Sequence, residues 1–314
     1  MNKQHLKLFS LISIIRQFFA KENFIDVLTP PAVQNPGMET HIHPFKVSSM
    51  LEQEKESSLF LHTSPEFCMK ELLSEGLSKI FTISYCFRDE PTSIQHRAQF
   101  LMLEWYRANE HYSKIMDDCE LLITKSYQQM GNESPSFVRK TIQEIFIEFI
   151  NIDILFFLEV EENKKLLVEK FPEVPLPNAI EKMEWDDYYF LLFLNKIEPQ
   201  LKKYPYLILF EFPYQLAALS TIKENDSRVC ERFEIYIDGI EIANSFNELC
   251  DLNTLKQRFD LQGKQKQDLY QYQLPAPNKF YHTMEKGLPP SAGIALGVER
   301  LFMAITKTKN PFWD

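Results

Sequence analysis

Apolar residues recur at helical spacing near the start of the chain, where Leu8, Leu11, Ile12, Ile15 and Phe19 fall along one stripe. The spacing predicts a helix over Leu6 to Phe19. Lys3, His5 and Lys7 precede its apolar run as in an export signal, but Arg16 follows at once and no small-residue cleavage site appears. A period of two takes over later. Ile80 to Phe87 is apolar and rich in β-formers. Phe100 to Tyr106 alternates, with Phe100, Met102, Glu104 and Tyr106 on one face and Leu101, Leu103 and Trp105 on the other. Between these strands, Asp89 to Gln99 carries Pro91, Ser93, His96 and Arg97, the composition of a long polar loop of the kind that often holds ligands.

Other elements follow from local signals. Ser64 as N-cap with Pro65 at the first helical position predicts a helix that points Met69, Leu72 and Leu73 inward, carries Glu66 in its first turn and ends at Gly76. Residues 107 to 130 read as helix, and 137 to 170 and 186 to 202 as mostly helical. Val174 to Pro177 and Tyr204 to Tyr206 carry the proline punctuation of a loop and an edge. Gln257 to Tyr272 reads as a polar helix, and Gln273 to Lys279 as a connector.

Two segments carry charge where pattern alone does not call for it. GIEIANSFNEL at 239 to 249 sets Glu241, Asn244 and Glu248 in a strand-like run, where acids belong if they meet water, metal or a cation. A regular strand would put Glu241 on the face opposite Asn244 and Glu248, so a bulge is expected there. GIALGVERLFMAI at 293 to 305 reads as a strand passing into a helix through two glycines, with Glu299 and Arg300 in the first helical turn.

Composition adds little to the fold and more to the partners. The 314 residues carry a net charge of −10, which opposes the diffuse phosphate attraction of a tRNA-binding surface. No Gly/Ser-rich or charged linker divides the chain, so residues 1–314 read as one domain. Cys68, Cys86, Cys119, Cys230 and Cys250 are odd in number and lack a CxxC pair, as for thiols in a reducing cytoplasm. No apolar stretch reaches membrane-spanning length, so no membrane association is expected. His62, His96 and His111 have no metal-like spacing.

An arginine and several acids on one hairpin surface suit a site for ATP and a cationic small molecule. Taken together, the segments resemble the class II aminoacyl-tRNA synthetases, over nearly the whole chain. The first helix with FIDVLTPPAVQNPGMETHIHPF is similar to motif 1, FRDE at 87 to 90 with FLMLEWYR at 100 to 107 to motif 2, and GIALGVERL to motif 3. TSPE at 63 to 66 and CERFEIYIDGIEIANSFNEL at 230 to 249 resemble the lysyl branch. Within it the chain is most similar to the shortened group that modifies a protein, the elongation factor P (R)-β-lysine ligases.

The resemblance implies an α+β fold, a mostly antiparallel sheet flanked by helices, as one class II catalytic domain without an N-terminal anticodon-binding domain. It implies a cytoplasmic homodimer, with ATP and Mg2+ as cofactors, (R)-β-lysine or lysine as substrate, elongation factor P as acceptor, and no tRNA. Arg88 and Arg300 are the implied catalytic residues: Arg88 bridges the substrate carboxylate and the α-phosphate, and Arg300 closes the far end of a bent ATP. Glu90 accepts from the adenine amine, Phe100 stacks beneath adenine, and Gly297 lets the nucleotide approach the backbone. Asp89, Arg97, Glu241 and Ile242 complete the ATP site, and Glu241 with Glu248 holds the metal. Ser64, Pro65 and Glu66 lie against the substrate. Glu104, Tyr106 and Glu248 take the side-chain amine, Glu66 the second amine, and Asn244 the carboxylate side.

Two departures and one deciding position stand out. Arg97 stands in HRAQF where the family has the asparagine of HNPEF, and Ser245 where it has glycine; the serine is expected to narrow the pocket floor. Ala295 stands where lysyl-tRNA synthetases have glycine and the elongation factor P ligases alanine, and one methyl group at a pocket wall shifts selectivity by about 1 to 3 kcal/mol. A truncated lysyl-tRNA synthetase, a non-catalytic amino-acid-binding paralogue and an asparagine synthetase of related fold stay open at this point. The last would lack the Glu104 and Glu248 acidic pair.

Overall fold

A computed structural model of the chain describes residues 3–51, 59–91, 93, 97–177 and 183–308. The chain divides into two compact units, residues 1–134 with 248–314, and residues 135–247.

The first unit opens with α1 (Lys3–Lys21), then β1 (Ile25–Asp26), β2 (Ala32–Val33), β3 (Lys46–Val47), β4 (Leu59–Leu61), α2 (Glu66–Ser74), β5 (Lys79–Phe87), β6 (Gln99–Ala108) and α3 (Tyr112–Gln129). In the second unit come β7 (Val138–Thr141), α4 (Ile142–Ile150), α5 (Val160–Lys170), α6 (Trp185–Leu192), α7 (Glu198–Leu201), β8 (Tyr206–Pro213), β9 (Val229–Ile237) and β10 (Ile240–Asn247). The chain then returns to the first unit with α8 (Leu252–Tyr270), α9 (Asn278–Lys286), β11 (Ser291–Gly297) and α10 (Val298–Thr306).

In the first unit the strand order is β1-β5-β6-β11, parallel at β1/β5 and antiparallel at the other two pairings. The stripe of α1 buries Leu8, Leu11, Ile14, Ile15, Phe18 and Phe19, while Ile12 is only half-buried. Phe19 anchors the helix, stacking on Phe81 of β5 at 4.6 Å and meeting Trp105 of β6 at 5.3 Å. Each such ring contributes about 1.5–3 kcal/mol by leaving water. The small sheet β2-β4-β3 precedes α2.

In the second unit the order is β10-β9-β8-β7, antiparallel except at β7/β8. Its core joins Phe146, Trp185, Tyr189 and Phe193 to Leu207 and Leu209 of β8. The expected bulge is present. Register shifts between Glu241 and Ala243, so Glu241 pairs with Tyr236 and Asn244 with Glu234; those partners are two apart on β9, and the bulge brings Glu241 and Asn244 to one face.

Several boundaries differ from the sequence reading. The helix expected from residue 107 starts at Tyr112, because Arg107 and Ala108 continue β6 between partners on β5 and β11. Asn109, with φ of 59°, then turns the chain, and His111 caps the helix. Pro65, not Ser64, occupies the N-cap of α2; the Ser64 hydroxyl still accepts from the Glu66 N–H at 3.4 Å. Residues 138–141, read as helix, form β7, whose Thr141 closes a capping box with Glu144 into α4. Because β7 lies outside it, the strand beginning at Tyr206 is not the edge that Pro205 suggested. α8 begins at Leu252, where Asp251 accepts from the Thr254 N–H at 2.7 Å. The sequence reading lacked α9, hidden behind Pro275 and Pro277; it buries Phe280, Thr283 and Met284.

Candidate active site

The first unit gathers four of the expected residues around a fifth that the sequence reading passed over. β6 supplies Glu104 and Tyr106, on the same face by strand period and 1% and 3% exposed. The first turn of α2 supplies Glu66. Glu248 follows β10 directly, and its N–H donates to the carbonyl of Ser291 on β11 at 2.8 Å. Between them lies Lys70, one helical turn after Glu66 and 2% exposed. Its Nζ donates to Glu66 Oε1 at 2.5 Å and pairs with Glu248 Oε2 at 2.6 Å. The Tyr106 hydroxyl donates to Glu104 Oε2 at 3.2 Å.

β11 forms the adjoining wall. Ala295 pairs with Glu104 and Gly293 with Tyr106, so the methyl group of Ala295 and the side chain of Glu104 share one face as a cross-strand pair. Gly293 has no room for a side chain. A Cβ there would sit 2.1 Å from the Tyr106 ring and 2.8 Å from Glu248 Oε1. The glycine therefore serves the approach of Tyr106 and Glu248, a role legible only once the strand opposite is known.

Electrostatics in this cluster are unbalanced. Burial pushes the Glu104 carboxyl well above its ordinary range, the nearby charge of Glu66 adds to it, and the Tyr106 hydrogen bond offsets only part. Burial raises the Tyr106 phenol as well, helped by Glu104. Glu248 is pushed up to about 7 by burial despite the opposing pull of Lys70. Lys70 loses from burial, but Glu248 and Glu66 outweigh that loss and hold it protonated. Three carboxyl groups thus surround one internal cation.

The arginine end lies on the same hairpin. Arg88 follows β5, its N–H donating to the carbonyl of Ala98 at 2.9 Å. Its guanidinium lies over the Phe100 ring at 5.2 Å. Arg88 Nε is buried with no hydrogen-bond partner among the described residues, an orphaned donor suited to an anion. Asp89 is exposed and donates its N–H to the carbonyl of His43 at 2.7 Å; Glu90, Arg97 and Phe100 are half-buried. Of the loop expected over 89 to 99, Thr92 and Ile94 to His96 lie outside the described residues. Half-buried Glu39, absent from the sequence reading, has its carboxyl raised by burial and by Glu66, with Arg88 opposing.

At motif 3, Gly297 is the N-cap of α10, and Arg300 is half-buried in its first turn. A Cβ on Gly297 would meet the Arg300 side chain at an ordinary 3.5 Å, so packing within the chain does not demand glycine there. Glu299 does structural work: its carboxylate accepts from the Leu101 N–H at 2.8 Å and ties α10 to β6.

The remaining expected residues belong to the second unit. Glu241 is half-buried on β10, Ile242 is the buried bulge residue, and Asn244 accepts from Arg232 Nε at 3.1 Å. Ser245 is fully buried and pairs with Phe233, on the face away from Asn244, so it does not narrow a floor shared with that asparagine. Among the described residues no three His, Cys, Asp or Glu side chains are grouped to hold a metal. Magnesium needs fewer, taking one or two carboxylates with phosphate and water. Glu248 keeps one oxygen outside the Lys70 contact.

Comparison with known proteins gives this arrangement its family. Residues 1–310 match the family model described as tRNA synthetases class II (D, K and N). The chain belongs to this family. Among similar relatives of the class II synthetase fold, the elongation factor P (R)-β-lysine ligase of Haemophilus influenzae is 33% identical over 302 residues, 96% of this chain and 90% of that protein. The proteins of the same name from Proteus mirabilis and Buchnera aphidicola are 33% and 32% identical over 300 and 309 residues, covering 95% and 97% of this chain and 89% and 92% of theirs. The class II resemblance drawn from the three motifs therefore holds, as does the α+β, mostly antiparallel fold. Among the described residues no helix is long and apolar enough to cross a membrane.

Proposed function

We propose that the chain activates (R)-β-lysine with ATP as an adenylate and transfers it to the ε-amino group of a lysine on elongation factor P. The observation that carries this reading is the buried set Glu66, Glu104 and Glu248, three carboxyl groups around one internal ammonium, with the Ala295 methyl group against Glu104. A substrate with two ammonium groups supplies cations to that acid-rich set. The names of the similar relatives support the acceptor, and the net charge of −10 favours a protein over a nucleic acid.

In this reading the substrate carboxylate oxygen attacks the α-phosphorus of ATP, the bond to the bridging oxygen breaks, and pyrophosphate leaves. Negative charge grows on the phosphoryl oxygens, where Arg88 and Arg300 stabilise it. Arg88 Nε supplies the unpartnered donor for this. Glu241 and Glu248 would hold magnesium, which would supply charge neutralisation to the phosphates. The unprotonated ε-amine of the acceptor lysine then attacks the adenylate carbonyl, an amide forms, AMP departs, and the amine proton passes to solvent. Ser64, Pro65 and Glu66 line the substrate, Asn244 its carboxylate side; Asp89, Glu90, Arg97, Phe100, Ile242 and Gly297 surround ATP.

We further propose one catalytic domain acting in the cytoplasm as a homodimer through motif 1. The outer face of α1 supports the dimer, since exposed Leu6 and Phe9 remain on it and Phe9, Ile12, Arg16 and Ala20 line a surface hollow. Purified protein incubated with ATP and each lysine isomer, with elongation factor P or tRNA as acceptor, tests the reading. Mass increase of elongation factor P with β-lysine supports it; charging of tRNA instead, or no pyrophosphate exchange with either isomer, overturns it. Arg88→Ala and Arg300→Ala should each lower that exchange by about a hundredfold or more, with the fold retained.

A further inference from the structure

Lys70 belongs to no role assigned so far. It is a fully enclosed ammonium on α2, and an enclosed charge persists only with fixed partners. Those partners are Glu66 Oε1 at 2.5 Å and Glu248 Oε2 at 2.6 Å, with the Phe280 ring at 5.9 Å. Each carboxylate gives one oxygen to Lys70 and keeps the other. For Glu248 the second oxygen, Oε1, is the one beside the bare backbone of Gly293. The lysine therefore clamps two acids that come from separate parts of the chain, and leaves one oxygen of each to be presented.

Glu66 and Lys70 from α2, Glu104 and Tyr106 from β6, and Glu248 ahead of α8 meet here, and Glu39 lies close enough to feel the charge of Glu66. Acids therefore outnumber the cation that holds them. Both lysine isomers bring two ammonium groups; an amino acid with a plain side chain brings one.

We propose that Lys70 is a positioning residue of this pocket, orienting Glu66 and Glu248 toward the substrate. The proposal rests on the reading of the pocket as an amine site. Without Lys70 the two carboxylates repel, turn apart or take up protons, and the oxygens that should meet substrate lose their direction.

Calorimetric binding of (R)-β-lysine, α-lysine and 6-aminohexanoate, which carries one ammonium, to the parent and to Lys70→Ala tests this. The parent should prefer the diamines, and Lys70→Ala should weaken the better-bound diamine by about a hundredfold, the scale of a broken buried pair. Ethylammonium, which replaces the missing cation in the space left behind, should recover about tenfold of that loss, whereas bulky tetramethylammonium should recover none. A lysine that merely supports the fold would lower the affinity for 6-aminohexanoate as much as for the diamines, whereas a positioning lysine lowers diamine affinity selectively. Unchanged diamine binding in Lys70→Ala, or equal response to both ammonium salts, overturns the proposal while leaving the amine site intact. A parent that binds neither isomer overturns the amine-site reading, and the proposal with it. If Lys70→Ala does not fold, nitrogen-15 resonances of lysine ammonium groups in the parent decide, with Lys266→Gln removing the other buried lysine signal. The Lys70 signal should persist when β-lysine saturates the site. Its loss to solvent exchange would make Lys70 a displaced placeholder and refute positioning.

Discussion

The two units repeat one local device with opposite outcomes. On β6 the Tyr106 hydroxyl donates to Glu104 two residues away, and on β9 the Tyr236 hydroxyl donates to Glu234 at the same spacing. Around Glu234 the account closes locally, because Arg232 lies two residues away on the same strand and reaches its other oxygen at 2.5 Å. Arg232 is held in turn by Asn244, by the Leu216 carbonyl and by the rings of Phe212 and Phe246. Glu104 has no such neighbour: Lys70 gives its contacts to Glu66 and Glu248, and burial leaves Glu104 strongly inclined to hold a proton. One Glu-x-Tyr pair carries its own cation on the strand; the other does not, and in the proposed reading the substrate supplies it.

The sharpest way to break this comparison is to remove the cation that makes the second network self-sufficient. Arg232→Met should lower stability by about 3–5 kcal/mol, the penalty for stranding a buried carboxylate, measured by urea unfolding at pH 7. A change below about 1 kcal/mol would mean that Glu234 is not held as described. In the first unit the outcome should be functional. Glu104→Gln should weaken diamine binding by about tenfold or more through loss of a charged partner, without added magnesium recovering it. Glu248→Gln should weaken diamine binding and also raise the magnesium requirement. Magnesium titrations of exchange on both variants separate these roles; equal rescue would show that they are not divided.

Ala295→Gly removes the methyl group beside Glu104, and should raise activity on α-lysine relative to the β isomer by roughly 10 to 200-fold. Kinetics with both isomers read it directly, and an unchanged ratio rejects the wall argument. The smallest effect should be in stability against pH. Glu104 binds its proton more tightly folded than unfolded, so its contribution is full below the unfolded value near 4.5 and declines as pH rises toward the elevated folded value. Glu104→Gln should flatten that decline, visible as a Tm that falls less between pH 5 and 8 than in the parent. An unaltered slope would place the proton elsewhere.

Much of this was legible in the sequence because charge interrupts pattern. Glu104 sits in an otherwise apolar alternating strand, and Glu241 needed a bulge that β10 supplies between Glu241 and Ala243. Lys70 was not legible, although Glu66 and Lys70 stand at a helical pairing interval: lysines are seldom buried, and nothing local indicates that Glu248 arrives from far along the chain. The pattern shows Gly293 as one of two glycines where a strand passes into a helix, and only the register opposite Tyr106 reveals its reason. The short strand β7 was masked by Arg139 and Lys140 in its middle, and α9 by the prolines before it.

The extra residue at the Glu241 bulge acts as a phase setting. Deleting Ile242 would leave β10 a tidier strand, its ladder unbroken, yet Glu241 would swing to the other side and meet a different environment. Under the metal role proposed for Glu241, backbone regularity and chemical competence are tuned against each other at one position, and a selection that rewarded only folding would drift toward the tidier version.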